Sequence, residues 1–333
     1  REMDPGVEPK AREQVAYGTK NFEVCRLFSR GFHGSRPLLQ TEVQSSDLQY
    51  RSWTAEDRAN KCYYIWSVQN NEFHDYDVAF DLNRLNVPVG SLVTVETVSG
   101  ARHGEVTHRI SLPENKKIRL RQAAQSAMLI TVYPETTVPE VVNTIADSTV
   151  IQGGQAQVNF GVEPLLLVGR HSNNDFNRVS YLKFKVPEAG APVERAILEL
   201  QAETVGTHAF DGGFLFRVYA IEENDWTEST VTAESAPNLY QTVSSMIEVD
   251  LDHYPVAHLT GFKDPSVLRA DITRAVRDAQ QAGRAELTLA LIREIHRPGE
   301  NTDDHYVRID SREAENEKSP KLYLYKKYSR EAE

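Results

Sequence analysis

The chain has 333 residues, 40% of them hydrophobic, and a formal net charge of −11 at pH 7. This length allows two domains, each with its own hydrophobic core. The acidic balance argues against a nucleic-acid partner, because a polyanion binds to a basic surface. It does not exclude an anionic polysaccharide, since a local cluster of arginines can act within an acidic protein. No run reaches the roughly eighteen apolar residues that a membrane span needs, so no membrane partner is expected.

Residues 1–40 differ in pattern from the rest of the chain. Residues 8–30 contain few β-branched residues and space their apolar side chains as in a helix, which Gly31 and Gly34 are expected to end. Such a helix must bury its apolar face, and two interpretations are open. In the first, residues 27–34 resemble the exit from a (β/α)8 catalytic barrel, and the helix is a remnant of that barrel. In the second, the helix packs onto the domain that follows.

Residues 41–134 have the pattern of an all-β sandwich, because short strand-like runs alternate with turn signals. The runs cover residues 62–68, 76–82, 92–98, 117–120 and 127–133. Two prolines and two threonines in residues 133–140 indicate a stiff linker, which we place at 135–140. The chain is thus divided into a helical segment at 1–40, an accessory β-sandwich at 41–134, the linker, and a further β-sandwich at 141–327.

Residues 141–327 show the pattern of a second β-sandwich with one short helix. An alternating run at residues 178–185 predicts a strand. Asp271 as N-cap and Gly283 as C′ stop frame a helical pattern, and this helix is expected to close one open end of the sandwich. The predicted fold is therefore all-β, with two jelly-roll-like β-sandwiches in tandem, an N-terminal helix and one short helix in the second sandwich.

A series of motifs runs in order through the second sandwich. The motifs lie at residues 147–150, 159–161, 166–170, 178–184, 196–200, 218–228, 271–273, 311–314 and 319–324. In this order they resemble the DNRLRE-type module, which overlaps carbohydrate-binding module family 96 and occurs at the ends of polysaccharide-degrading enzymes. The resemblance implies a β-sandwich that binds a polysaccharide. One departure is Ala233, which stands where the family usually has a tryptophan, so that loop lacks an aromatic ring.

The first sandwich carries motifs of its own. They comprise Ala59, Tyr63 and Asn70, followed by residues 77–82, 103–106 and 125–132. These motifs look like the β-sandwich that follows the barrel in agarase-like and xylosidase-like glycoside hydrolases, among which glycoside hydrolase family 86 is most similar. Because such sandwiches chiefly support the barrel, the resemblance implies an upstream catalytic domain as a partner.

A polysaccharide-binding surface needs aromatic rings for the C–H faces of sugars and planar polar groups for their hydroxyl or anionic groups. The arginine fork suits a sulfate or a carboxylate, because it donates two parallel hydrogen bonds. The residues that we predict to bind polysaccharide are Arg170, Asn174, Arg178, Arg217, Tyr240, Arg293, Arg297 and Arg308. If the strands that carry the arginines at 178, 217, 293 and 308 are neighbours, these side chains line one basic groove.

Several of these positions also have a structural interpretation. Arg178 and Arg312 match motif positions that equally suit salt bridges, with Glu228 or Glu313 as partners. Trp226 matches the tryptophan of the resembling module and is predicted to lie in the core rather than to form a sugar platform.

Two loop segments offer ligands for a structural Ca²⁺, at residues 211–213 and 301–304, although turn chemistry explains both equally well. Cys25 and Cys62 are the only cysteines in the sequence, and they form either one disulfide or two buried thiols. The sequence contains no CxxC, HExxH or G-x-S-x-G pattern, so neither a zinc site nor a catalytic site is expected within this chain.

These observations predict a non-catalytic polysaccharide-binding and accessory region of a secreted glycoside hydrolase. The resemblance implies an agar-, porphyran- or alginate-like polymer as ligand, anionic or sulfated, and an upstream catalytic domain. The alternative is a purely structural or surface-assembly pair of β-sandwiches without sugar binding. An exposed basic or aromatic groove would favour the first function, and a face of paired charges the second.

Overall fold

The computed structural model describes residues 20–32, 34, 36–45, 48–59, 61–133, 139–171, 176–188, 193–206, 214–237, 255–293, 305–314 and 317–326. The chain divides into two compact units, of which the first spans Ala16–Val138 and the second includes Pro139–Glu333. The described residues are mostly strands, with two α-helices and a short 3-10 helix at Gly153–Gln155. The prediction of an all-β fold with an N-terminal helix and one later short helix is confirmed.

Eight described strands form the first unit: β1 (Leu38–Leu39), β2 (Tyr50–Asp57), β3 (Cys62–Gln69), β4 (Tyr76–Asp81), β5 (Leu92–Val98), β6 (His103–Ser111), β7 (Lys117–Gln122) and β8 (Ser126–Tyr133). An antiparallel sheet has the order β1-β2-β3-β8-β5-β6, and β4 pairs with β7 in a separate small sheet. Val93 and Ile130 of the large sheet share a core with Phe80 and Ile118 of the small one. The unit is therefore a sandwich of two sheets.

The first helix, Lys20–Phe32, packs on the large sheet of this unit. Leu27 has no exposed surface and lies among Tyr64, Trp66 and Leu129 of the sheet. Gly34 has a φ of +71°, which fits its predicted role at the end of the helix. The packing is the one expected in the second interpretation of this segment. The origin of the helix in a barrel stays a prediction, and the expected helical residues before Lys20 lie outside the described part.

Eleven described strands form the second unit: β9 (Glu140–Asn143), β10 (Ala146–Ile151), β11 (Leu165–Val168), β12 (Arg178–Lys185), β13 (Val193–Val205), β14 (Phe214–Ile221), β15 (Pro255–Gly261), β16 (Ser266–Asp271), β17 (Glu286–Ile292), β18 (Tyr306–Asp310) and β19 (Lys321–Lys326). Sheet I has the order β10-β12-β17-β14-β15. Sheet II has the order β11-β18-β13-β19-β9, with β16 also paired to β13.

Sheets I and II face each other across one core. Phe184 and Phe216 of sheet I pack with Leu198 and Ile309 of sheet II. Because successive side chains of a strand point to opposite faces, each strand of sheet I also presents an outer face. Residues 226–237, here called the strap, cover part of that outer face.

The second helix, Thr273–Gln281, closes one end of this core with Ala275 and Val276. Gly283 has a φ of +67° and directly follows the C-cap residue, as predicted. The predicted N-cap is one residue early, because Asp271 is still paired within β16 and Ile272 holds the cap position. The Asp271 carboxylate nevertheless accepts a hydrogen bond from the amide of Thr273, at 3.0 Å.

Two sequence expectations concern chemistry rather than topology. No disulfide joins Cys25 and Cys62, so the disulfide alternative is wrong. The alternative of two buried thiols is correct for Cys62, which is buried, and wrong for Cys25, which is exposed. Among the described residues, neither helix is both long enough and apolar enough to cross a membrane.

Candidate functional site

Four of the predicted arginines lie towards one end of the second unit, where β12 and β14 begin and β17 ends. In sheet I, β17 lies between β12 and β14. Arg178 is the first residue of β12, Arg293 directly follows β17, and Arg217 of β14 lies opposite the last residue of β17. Arg170 follows Gly169, which forms an isolated bridge with Arg178. We call this group of arginines, with the aromatic residues around them, the basic end.

Arg308 does not belong to this group. Its strand, β18, lies in sheet II between β11 and β13, so the expectation that all four arginine-bearing strands are neighbours is wrong for β18. The Arg308 guanidinium forms an ion pair with Glu203 on β13, and Arg269 pairs with Glu199 at 2.7 Å in the same sheet. Side-chain alternation puts both pairs on the outer face of sheet II, which is therefore a face of paired charges.

Aromatic rings orient the guanidinium groups at the basic end. The Arg178 Cζ atom lies 4.8 Å from the ring centroid of Tyr306, and the Arg293 Cζ atom lies 3.8 Å from that of Phe214. The His305 ring stands edge-on to Phe214, with the centroids 4.9 Å apart. Cation–π contacts of this kind fix the plane in which an arginine presents its N–H groups.

Gly169 makes the stack of Arg178 on Tyr306 possible. A Cβ atom at Gly169 would come 2.9 Å from the Cβ of Tyr306, which real Cβ atoms essentially never approach. Because Gly169 is also the bridge partner of Arg178, a side chain there would compete with both residues for the same space.

Burial differs between the arginines of the basic end. Arg170, Arg217 and Arg293 are 1%, 7% and 5% exposed, whereas Arg178 and Tyr306 are half-buried. Burial lowers the pKa of Arg170 to about 10, so its guanidinium stays charged at neutral pH. The ligand-accessible part of the group is therefore the Arg178–Tyr306 stack, backed by buried positive charge.

Three predicted ligand-binding residues, Asn174, Tyr240 and Arg297, lie outside the described residues. The two loop segments predicted to offer calcium ligands, 211–213 and 301–304, also lie outside them.

Other residues that carry the sequence resemblance come together near the opposite end of β12. The Asn159 side-chain amide donates hydrogen bonds to the carbonyl oxygens of Glu228 (2.7 Å) and Val231 (2.8 Å), and thereby holds the strap. Gly161 allows this approach, since a Cβ atom there would lie only 2.1 Å from the carbonyl oxygen of Glu228.

Lys183 and Trp226 fasten the beginning of the strap. The Lys183 ammonium donates to the carbonyl oxygens of Asn224 (2.6 Å) and Trp226 (2.7 Å) and lies 4.7 Å from the Trp226 ring centroid. The indole N–H of Trp226 donates to Thr288 Oγ1 at 3.0 Å. Trp226 is buried against Tyr181, which confirms the prediction that it belongs to the core.

Three carboxylates meet beside the strap: Asp147, Glu228 and Glu313, here called the carboxylate trio. One oxygen atom from each lies within 4.8 Å of the others. The Arg312 guanidinium pairs with Glu313 (3.0 Å) and Glu228 (3.6 Å), so the structural interpretation of Arg312 is correct. Burial, together with the negative charges of Glu313 and Glu228, raises the pKa of Asp147 to about 8, against the opposing hydrogen bond from the Arg312 amide.

Sequence reasoning missed Tyr306, Phe214 and Gly169 at the basic end. Phe214 and Tyr306 begin strands whose apolar alternation reads as core, and nothing in the local pattern marks them as partners of arginine. Gly169 belongs to one of the motifs described above. The space left by its missing side chain is needed by Tyr306, which is far away in the sequence.

Comparison with known proteins gives one family match. A family model described as carbohydrate-binding module family 96 matches residues 139–326. No curated protein matches the chain.

Solved structures with similarity to the chain include two that carry the GH86 name. One is BpGH86A, a beta-porphyranase of glycoside hydrolase family 86 from the human gut bacterium Bacteroides plebeius: identity is 11%, coverage is 84% of this chain and 38% of that chain, and the TM-score is 0.22. The other is BuGH86 in complex with neoagarooctaose: identity is 9%, coverage is 78% and 33%, and the TM-score is 0.24. The chain thus spans well under two thirds of either protein.

Proposed function

The chain belongs to carbohydrate-binding module family 96 through residues 139–326, and on this premise we propose that it binds an anionic polysaccharide at the basic end of its second unit. The observation that carries this proposal is the stack of Arg178 on Tyr306, backed by Arg170 and Arg293. The Tyr306 ring can contact the C–H groups of a sugar, and the Arg178 guanidinium can donate two parallel hydrogen bonds to a sulfate or a carboxylate. Buried positive charge behind the stack strengthens the attraction for an anion.

We further propose that this region serves a secreted glycoside hydrolase as an accessory part. The support is the family membership of the second unit together with the motifs of residues 41–134. Binding of the polymer by the module would keep substrate at high local concentration for a catalytic domain on the same chain. Porphyran- and alginate-like polymers are the proposed anionic ligands, and an agar-like polymer is the neutral comparison.

A structural role without sugar binding has one specific observation in its favour. The outer face of sheet II carries the pairs Arg308–Glu203 and Arg269–Glu199, which leave little net charge for an anionic ligand. Sugar binding would therefore use the basic end of the second unit, whereas the structural role would use the outer face of sheet II.

Native affinity electrophoresis of the full chain tests the proposal, with gels that contain agarose, porphyran, alginate, carrageenan or xylan. We expect at least one anionic polymer to retard the wild type. Arg178→Ala should weaken this binding by about ten- to a hundredfold, because it removes charge-assisted hydrogen bonds. Arg308→Ala is the matched control, since it removes an arginine outside the basic end, and it should bind as the wild type does.

Free migration of the wild type through every gel would support the structural role instead. Equal loss of binding in both variants, with unchanged thermal stability, would place the site away from the basic end.

A further inference from the structure

The strap is joined to the rest of the second unit by charged residues from three segments. Asp147 on β10 is only 1% exposed, and its amide donates to Glu228 Oε1 on the strap at 2.8 Å. The amide of Arg312, which follows β18, donates to Asp147 Oδ2 at 2.9 Å. These contacts join the strap to β10 and, through Asp147, to the segment after β18.

The carboxylate trio has too little positive charge around it. Arg312 pairs with both glutamates, but Lys183, the charged neighbour from β12, donates to the carbonyl oxygens of Asn224 and Trp226 and lies 3.4 Å from Glu286. Three ionised carboxylates within 4.8 Å of one another would repel strongly, above all with Asp147 removed from water.

Hydrogen bonding shows where a proton would fit. Glu313 Oε2 is buried and has no hydrogen-bond partner among the described residues. One carboxyl oxygen of Asp147 and one of Glu313 lie within 4.8 Å of each other. Two carboxylates cannot form a hydrogen bond without a proton between them, so one proton would allow Asp147 and Glu313 to pair. The same proton would halve the net charge of the trio and Arg312 taken together.

We infer that the carboxylate trio binds one proton at neutral pH and that this proton holds the strap on sheet I. The trio and the strap then form a pH-sensitive lock, which is separate from the proposed sugar binding. The raised pKa of Asp147, about 8, agrees with this arrangement. An unfolded aspartate titrates near pH 4. The lock is therefore complete below about pH 4, weakens as the pH rises from about 4 to about 8, and changes no further above that range.

Amide hydrogen exchange of the full chain tests the lock directly. The amide of Asp147 on β10 donates to Glu228 Oε1 on the strap, so its exchange reports the separation of the strap from β10. After correction for the intrinsic exchange rate, the opening constant of the wild type should rise about tenfold per pH unit between about pH 5 and about pH 7.5.

Two variants and one control make the result specific. Asp147→Asn removes the titrating group, and Glu313→Gln supplies an amide donor in place of the proton. Both should give an opening constant that changes less than about twofold over the same range. Glu199→Gln removes a carboxylate from the ion pair with Arg269 on sheet II and should keep the wild-type slope.

Two outcomes would overturn the inference. One is a wild-type opening constant that does not change with pH. The other is a gain of strap protection when calcium chloride is added at neutral pH and its loss on chelation, which would mean that the trio binds a cation instead of a proton. If Asp147→Asn does not fold, Glu313→Gln decides.

Discussion

Gly161 lies where the loop before β11 meets the strap. The carbonyl oxygen of Glu228 occupies the space that a Cβ atom would need, at 2.1 Å. The two-residue spacing to Asn159 then lets the asparagine amide reach two strap carbonyls. The N-x-G motif therefore has a structural explanation, because Gly161 leaves space for a strap carbonyl and Asn159 donates hydrogen bonds to the strap. Neither residue requires a ligand to account for it.

The substitution Gly161→Ala should lower the free energy of unfolding of the second unit by about 1–3 kcal/mol, as overpacking in a closed site does. Gly154→Ala is the matched control, because no atom lies within 4 Å of a Cβ built there. Urea denaturation followed by circular dichroism measures both. Equal midpoints for the two variants would contradict the steric explanation.

At the scale of secondary-structure elements, the contacts of the first helix explain its position on the first unit. Its fully buried Leu27 and the close approach of Gly31 to Leu129 fit it to the large sheet of the first unit, and the ion pair of Arg30 with Glu96 adds a polar contact. The first unit is thus a sandwich whose large sheet is covered on both faces.

Leu27→Ala should destabilise the first unit by about 2–5 kcal/mol, since it removes a buried side chain and leaves a cavity. Ser29→Ala changes an exposed residue of the same helix and should shift stability by less than about 0.5 kcal/mol. Differential scanning calorimetry of the two variants measures how much the packing of the helix stabilises the first unit. A Leu27→Ala protein that melts like the wild type would show that the helix contributes nothing to the unit.

Considered as a whole, the molecule combines a net charge of −11 with a local group of buried arginines. Negative charge collects elsewhere, including the carboxylate trio near the opposite end of β12. This separation would allow an acidic protein to present the proposed site for an anion. The first unit offers a different kind of surface, in which Trp53 on β2 is 42% exposed.

An exposed tryptophan is a natural sugar platform, so the location of binding is a testable question for the full chain. If the second unit carries the function, Trp53→Ala should leave retardation by the bound polymer unchanged, whereas Arg178→Ala should abolish most of it. Affinity electrophoresis of both variants in one gel makes the comparison. Loss of binding in Trp53→Ala alone would transfer the proposed function to the first unit.

Local patterns in the sequence were sufficient for several features of this protein. Strand alternation and the stop at Gly283 were predicted from periodicity and backbone conformation within a few residues, which a sequence displays directly. The burial of Trp226 was predicted from its match to a motif of the family, and the ion pairs of Arg312 were one of two open interpretations. The family of the second unit also followed from the order of its motifs.

The tertiary structure alone decided which distant residues meet. β18 could have joined either sheet on its alternation, and only the observed pairing removed Arg308 from the basic end. Arg178 met Tyr306, and Asp147 met Glu228 and Glu313, across long stretches of chain. Strand pairing of this kind is set by packing and burial over the whole unit, because hydrogen-bonded partners in a sheet need no common sequence signal. The sequence by itself thus determined the elements and the family, and the fold determined which charges became neighbours.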